Sequence, residues 1–330
     1  MARAAGNKIS LLRFSSLPGL SRRFSTSPHL SSGVQYLVRG HDPDLAYCST
    51  PGRSPGVIFF PGFLSNMDGT KALALEGYCR AAGLAYTSSL ALEGYCRAAG
   101  LAYTRFDYRG MGLSQGSIEN CSIATWRQDC LDVLDRLTTG KQIIVGSSMG
   151  GWLMLLIAMN RPERLHGLVG ISTAADFVKK HWEQAPIIVQ NQWREKGVYT
   201  FPSDYTDSGT VSLGYGWIQD SLPYCILGTR MPITCPVRLI HGLGDQDVPY
   251  QTSAQILEEL DAKDVDLILR KSGGHRMSEP EDLELIIDTV DKLVNTLGEG
   301  GAGEELDNVQ GAQSVKEEHG RITEPDSRQG

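Results

Sequence analysis

The sequence predicts an α/β fold, a mostly parallel sheet flanked by helices with a helical cap inserted into it. Three observations predict this. Short apolar runs of strand length alternate with stretches of helical period. One tight turn, Gly146-x-Ser148-x-Gly150, joins an apolar strand to an apolar helix. A long aromatic stretch, about 173–234, then interrupts the alternation. The chain has 330 residues, 41% of them hydrophobic, enough for one large core. No apolar run approaches the roughly 20 residues of a membrane span.

Residues 1–31 differ in kind from the rest of the chain. They carry Arg3, Lys8, Arg13, Arg22 and Arg23, many serines and no acid. That composition is expected of a mitochondrial transit peptide, cleaved near Ser31. Residues 32–297 form the predicted folded domain. Val34–Val38 and Leu45–Cys48 read as a hairpin-like pair, and Gly56–Phe60 as a buried parallel strand ending at Pro61-Gly62-Phe63. The stretch 73–87 then recurs letter for letter as 90–104. Two identical copies are a duplication rather than a solenoid, whose repeats diverge and come in threes or more. Each copy encodes a helix, an Ala-Gly stop and the start of a strand. Only the second runs on into Arg105-Phe106-Asp107, so its strand is expected in the sheet. The two helices compete for one position, and Leu84–Thr87 is expected to loop out.

Ile123–Leu137 has an apolar face of helical period. Ile143–Val145 is the strand before the serine turn, and Trp152–Met159 the helix after it. Leu165–Ile171 is the next strand. The aromatic stretch after it reads as a helical cap over the carboxyl edge of the sheet. Val237–Asp245 is strand then loop, and Val265–Arg270 the last strand. Pro280 opens a final helix reaching Leu297. Residues 298–330 are rich in Gly, Glu, Gln and Ser and read as a disordered acidic tail.

Gly146-x-Ser148-x-Gly150 between strand and helix is the pattern of a nucleophile elbow. A serine there stands clear of the sheet on a strained backbone, and only glycines fit beside it. In a parallel sheet, ligands bind beyond the carboxyl ends of the strands. Ser148, Asp245 and His275 fall just past three such ends, in the order Ser, Asp, His. The chemistry of the side chains suggests the roles. Ser148 needs a base to take its proton, His275 can supply it, and Asp245 can fix the imidazole. The N–H groups of Phe63 and Met149 are the candidate oxyanion donors. Asp247 stays open as an alternative acid, and Asp176, after the strand that succeeds the elbow, as a further one. His166, His181 and His241 are the other histidines of this region.

These motifs resemble the α/β-hydrolases. Pro61–Gly69, Phe106–Gly110, Gly146–Gly150, Asp245-x-x-Val-Pro249 and Ile268–Met277 resemble a mitochondrial branch of palmitoyl-protein thioesterases also described as acyl-glucuronide esterases. The resemblance spans about Val34 to Leu297. It implies a serine hydrolase that cleaves thioesters and esters through an acyl-enzyme in the mitochondrial matrix. The implied partners are S-acylated proteins or small acyl esters. A catalytically silent scaffold and a serine peptidase are the alternative readings.

Charge and cysteine usage narrow the field further. The net charge of −7 becomes −12 once the five basic residues of the leader are removed. Such an acidic protein is a poor fit to nucleic acid. The seven cysteines show no CxxC and no zinc spacing, and free, mostly buried thiols are expected. No metal or nucleotide cofactor is implied.

Overall fold

A computed structural model of the protein describes residues 33–80, 100–203, 206 and 208–296. The predicted leader, the acidic tail and the looped-out Leu84–Thr87 lie outside the described residues. One compact unit ends at Thr289; of a second, beginning at Val290, only the last turns of one helix are described.

The chain opens with β1 (Gln35–Arg39) and β2 (Asp42–Thr50), antiparallel with Leu37 opposite Leu45. Then come β3 (Arg53–Phe60), α1 (Thr70–Arg80), β4 (Leu101–Phe106), α2 (Ile123–Leu137), β5 (Gln142–Ser147), α3 (Met149–Asn160) and β6 (Leu165–Ile171). The cap holds α4 (Phe177–Gln184), α5 (Ile187–Lys196), β7 (Val198–Pro202), β8 (Thr210–Gly214) and α6 (Gly216–Ser221). The sheet resumes with β9 (Val237–Gly242), α7 (Gln251–Glu259) and β10 (Val265–Arg270), before α8 (Pro280–Thr296).

Eight strands form the main sheet in the order β1-β2-β4-β3-β5-β6-β9-β10, parallel from β4 to β10. The chain crosses from β3 to β4 on one side and returns to β5 on the other. That reversal opens a crevice beyond the ends of β3 and β5. β5 is buried at every position, as a central parallel strand covered on both faces must be. α3 is buried from Met149 to Ala158, which accounts for its apolar sequence all round. α2 starts at a capping box in which Ser122 and Thr125 satisfy each other's backbone N–H.

The duplicated block resolves into a composite. The first copy supplies α1 and the second supplies β4. Tyr103 Oη donates to Ala72 O at 2.8 Å, and Arg105 Nε to Glu76 Oε2 at 3.1 Å, so the helix of one copy is bound to the strand of the other. Upstream residues favour the first copy. Asp68 accepts from Arg105 Nη1 at 2.5 Å, and Lys71 Nζ donates to Arg276 O.

One expectation about the cap needs correcting, because it is not purely helical. β7 and β8 pair antiparallel, with Phe201 opposite Val211. The alternation of Val198-Tyr199-Thr200-Phe201 turns Phe201 inward, where it is buried with Val211 and Leu213. Among the described residues no helix is long and apolar enough to cross a membrane.

Candidate active site

The site begins at the end of β5. Ser148 has φ 55° and ψ −118°, a strained backbone for a residue with a side chain. Its neighbours show why glycine brackets it. A Cβ on Gly150 would lie 2.1 Å from Phe60 O, and one on Gly146 would lie 2.5 Å from Gly150 O. The elbow is held by Ser148 N–H donating to Ile171 O at 2.8 Å and Ala174 N–H donating to Ser148 O at 3.1 Å.

Two loops bring the partners in. His275 Nε2 lies 3.0 Å from Ser148 Oγ, and His275 Nδ1 lies 2.8 Å from Asp245 Oδ2. Asp245 Oδ1 accepts the backbone N–H groups of Asp247 and Val248, each at 2.9 Å. Of the three aspartates left open by the sequence, it is therefore Asp245 that bonds to the imidazole. Asp176 is occupied elsewhere: its carboxylate accepts from Ile226 and Leu227 N–H, both at 2.9 Å, and ties the two ends of the cap together. Burial works to raise the Asp245 carboxyl. Hydrogen bonds from His241 and His275, with the charge on His275, outweigh it and hold the group well below the usual carboxylate range.

Phe63 and Met149 both border the serine. Met149 opens α3, where an N–H has no intrahelical acceptor. The turn that carries Phe63 packs on Ser148, since a Cβ on Gly62 would meet Ser148 Cβ at 3.3 Å. The ring of Phe63 is lodged against Trp126 and Trp217 at centroid distances of 5.8 and 6.0 Å, which fixes its backbone. Asp107 steadies the same turn from below, accepting Met67 N–H at 2.6 Å and Leu113 N–H at 2.8 Å.

Ser148 and His275 line a cavity of about 840 Å³. The cap lines it with the apolar Phe177, Phe201, Val211, Leu213 and Trp217 and with the polar Lys180, His181 and Gln184. Outside the cap, Asn66, Lys71, Gln246, Asp247 and Arg276 add polar groups beside Phe63, Leu64 and Val248. Burial, with the charge of Arg276 acting the same way, lowers the Lys71 ammonium to about 8. Sequence reasoning did not single out Lys71. It also left His241 as a strand histidine, whereas the structure sets it 3.2 Å from Asp245 Oδ2. The available signal was its position four residues ahead of the acid in His241-Gly-Leu-Gly-Asp245. Among the described residues one group of possible metal ligands lies together, Asp245, Asp247 and His275, within 4.8 Å of one another. Two of these three are already bonded to each other. The described cysteines are free, four of them buried and two partly so.

The fold and this geometry define a serine hydrolase of the α/β-hydrolase class. The profile of the prolyl oligopeptidase family matches residues 127–292. A mouse (Mus musculus) protein named palmitoyl-protein thioesterase ABHD10, mitochondrial, is 40% identical over 289 residues, covering 85% of this chain and 92% of the mouse protein. The human (Homo sapiens) protein of that name is 39% identical over 281 residues, 85% of this chain and 86% of its own. The solved structure of mouse α/β-hydrolase domain-containing protein 10 superposes with a TM-score of 0.71 at 42% identity, covering 81% of this chain and 100% of that one. The chain belongs to the ABHD10 family of the α/β-hydrolases. Like the relatives so named, it is a mitochondrial enzyme.

Proposed function

We propose that this enzyme hydrolyses fatty-acyl thioesters and esters through an acyl-enzyme, with S-palmitoylated protein cysteines as its main substrates. The observation that carries the reading is the hydrogen-bonded series Ser148, His275, Asp245 at a cavity partly lined by the apolar side chains of the cap. Ser148 Oγ attacks the acyl carbonyl as His275 Nε2 takes its proton. The tetrahedral oxyanion is met by Met149 and Phe63 N–H, each such donor contributing roughly 3–4 kcal/mol. His275 returns the proton to the departing thiol or alcohol. A water then repeats the attack, His275 again acting as base, to free the acid and Ser148. Asp245 holds the imidazole in one tautomer and stabilises its cation.

The apolar cap side chains Phe177, Phe201, Val211, Leu213 and Trp217 suit the acyl chain, and the polar side chains around the cavity suit the leaving group. Relatives named palmitoyl-protein thioesterase support the thioester assignment. Acyl glucuronides are a second substrate class in this reading, and their sugar would sit against polar side chains such as Asn66, Gln246 and Arg276. The leader at 1–31 and a matrix location belong to the same reading. Peptide hydrolysis is the competing chemistry, favoured by the match to the prolyl oligopeptidase family.

A fluorophosphonate probe and three substrates test the proposal together. Wild type is expected to label and to turn over a palmitoyl thioester, and Ser148→Ala to lose both, with kcat down by about 10⁶. An unlabelled wild type would point to a silent scaffold. Cleavage of a prolyl peptide with no turnover of the thioester or of an acyl glucuronide would replace the esterase reading with the peptidase one.

A further inference from the structure

His241 sits at the end of β9, fully buried, on the side of Asp245 away from the serine. Its Nδ1 lies 2.7 Å from Ser253 Oγ on α7, and its Nε2 lies 2.9 Å from Val248 O. A carbonyl oxygen only accepts, so Nε2 carries a proton. In the neutral ring Nδ1 then holds a lone pair, and the Ser253 hydroxyl donates to it. Nε2–H is thereby aimed between Val248 O and Asp245 Oδ2, the latter 3.2 Å away. That same Oδ2 accepts from His275 Nδ1, while Oδ1 is taken by two backbone N–H groups. The polar series is thus longer than three residues: Ser253, His241, Asp245, His275, Ser148.

We infer that His241, set in its tautomer by Ser253, is a positioning residue for the acid of the triad. It fixes the plane of the Asp245 carboxylate so that Oδ2 faces His275. It also places a second N–H on that oxygen, which moderates how strongly the carboxylate holds the proton of His275. Remove the donor and Oδ2 becomes more basic, the imidazolium is stabilised, and a higher pH is needed to free the base. The inference rests on the triad proposed above.

The other charged groups around the site are Asp247 on the acid loop, Arg276 beside His275, Lys71 on α1 and Lys180 on α4, whose Nζ lies 3.1 Å from Thr252 Oγ1. Substitutions at His241 and Ser253 leave all of them in place.

The test compares His241→Leu, His241→Gln and Ser253→Ala by the pH profile of kcat/KM on a thioester, with thermal melts as a check on folding. A side-chain amide at position 241 can reach where Nε2 stood and keep the donor. His241→Leu is expected to lower kcat by about 10- to 100-fold, as loss of one hydrogen bond to a charged acceptor does, with KM unchanged. Its acid limb is expected to move up by about one pH unit. His241→Gln should recover most of the rate and return the limb, and Ser253→Ala should shift it part of the way. Limbs that coincide with wild type, or a Gln variant as poor as the Leu variant, would overturn the inference. If His241→Leu does not fold, the limb of Ser253→Ala decides, a shift supporting the inference and an unmoved limb refuting it. Failure of the triad itself shows separately, as wild type that resists the fluorophosphonate or Ser148→Ala that still reacts.

Discussion

Two aspartates two residues apart carry the sharpest residue-level prediction. Asp245→Asn keeps the shape of the site but removes the charge facing His275, and kcat is expected to fall by about 10⁴. Asp247→Asn should change kcat by less than about tenfold, because it is Asp245 that bonds to the imidazole. Steady-state kinetics on one thioester compares the pair. Ser148 and His275 were legible from sequence because each lies in a pattern with a stated physical demand, a strained elbow and a loop past the last strand. The choice between the two aspartates was not legible. Both lie past β9, and the loop's own hydrogen bonds decide which carboxylate faces the imidazole. His241 was hidden for a related reason: its partners are brought together by the turn after β9 and by α7, which periodicity does not reveal.

At the scale of elements, the cap and the turn after β3 make separate predictions. Trp217 stacks on Phe63 and Phe177 packs against it at a tilt, at 6.0 and 6.1 Å between ring centroids. Trp217→Ala is expected to raise KM for a palmitoyl thioester by about tenfold, from lost apolar contact, and to change a two-carbon ester far less. A chain-length series of KM values checks this. The turn holding Phe63 depends on Asp107, which burial pushes up to about 6 from 3.8, against the N–H donations of Leu113 and Met67. Between those values the folded state binds the extra proton. This group's contribution to stability therefore falls as pH rises from about 4 to about 6 and is level above that. Urea midpoints across that range should show the slope in wild type and lose it in Asp107→Asn. The helices of the cap were readable from sequence, but the β7–β8 ribbon was not. Its strands are five residues each, too short for period-two alternation to stand out from an aromatic-rich stretch.

For the whole molecule, the mostly parallel sheet and the place of the site at the carboxyl ends of its strands followed from the alternation of elements, whereas the order of the strands came only with the structure. Of the duplication, the strand was legible, since only the second copy runs on into Arg105-Phe106-Asp107, but the choice of helix was not, since identical sequences carry identical propensities. Removal of one seventeen-residue copy would leave Ala-Ala-Gly in place of 81–100 between α1 and β4. The connection is then seventeen residues shorter, and the fold is expected to be at least as stable, with kcat unchanged. Denaturant unfolding beside steady-state kinetics measures both. The composite also has a genetic meaning. The letters of 73–80 are present a second time at 90–97, so deletion of either copy leaves the helix sequence in the chain. Lys71 has no such reserve, because the position corresponding to it ahead of the second copy is Ser88. The tie from that lysine to the loop bearing His275 is therefore open only to the helix that begins with Thr70 and Lys71.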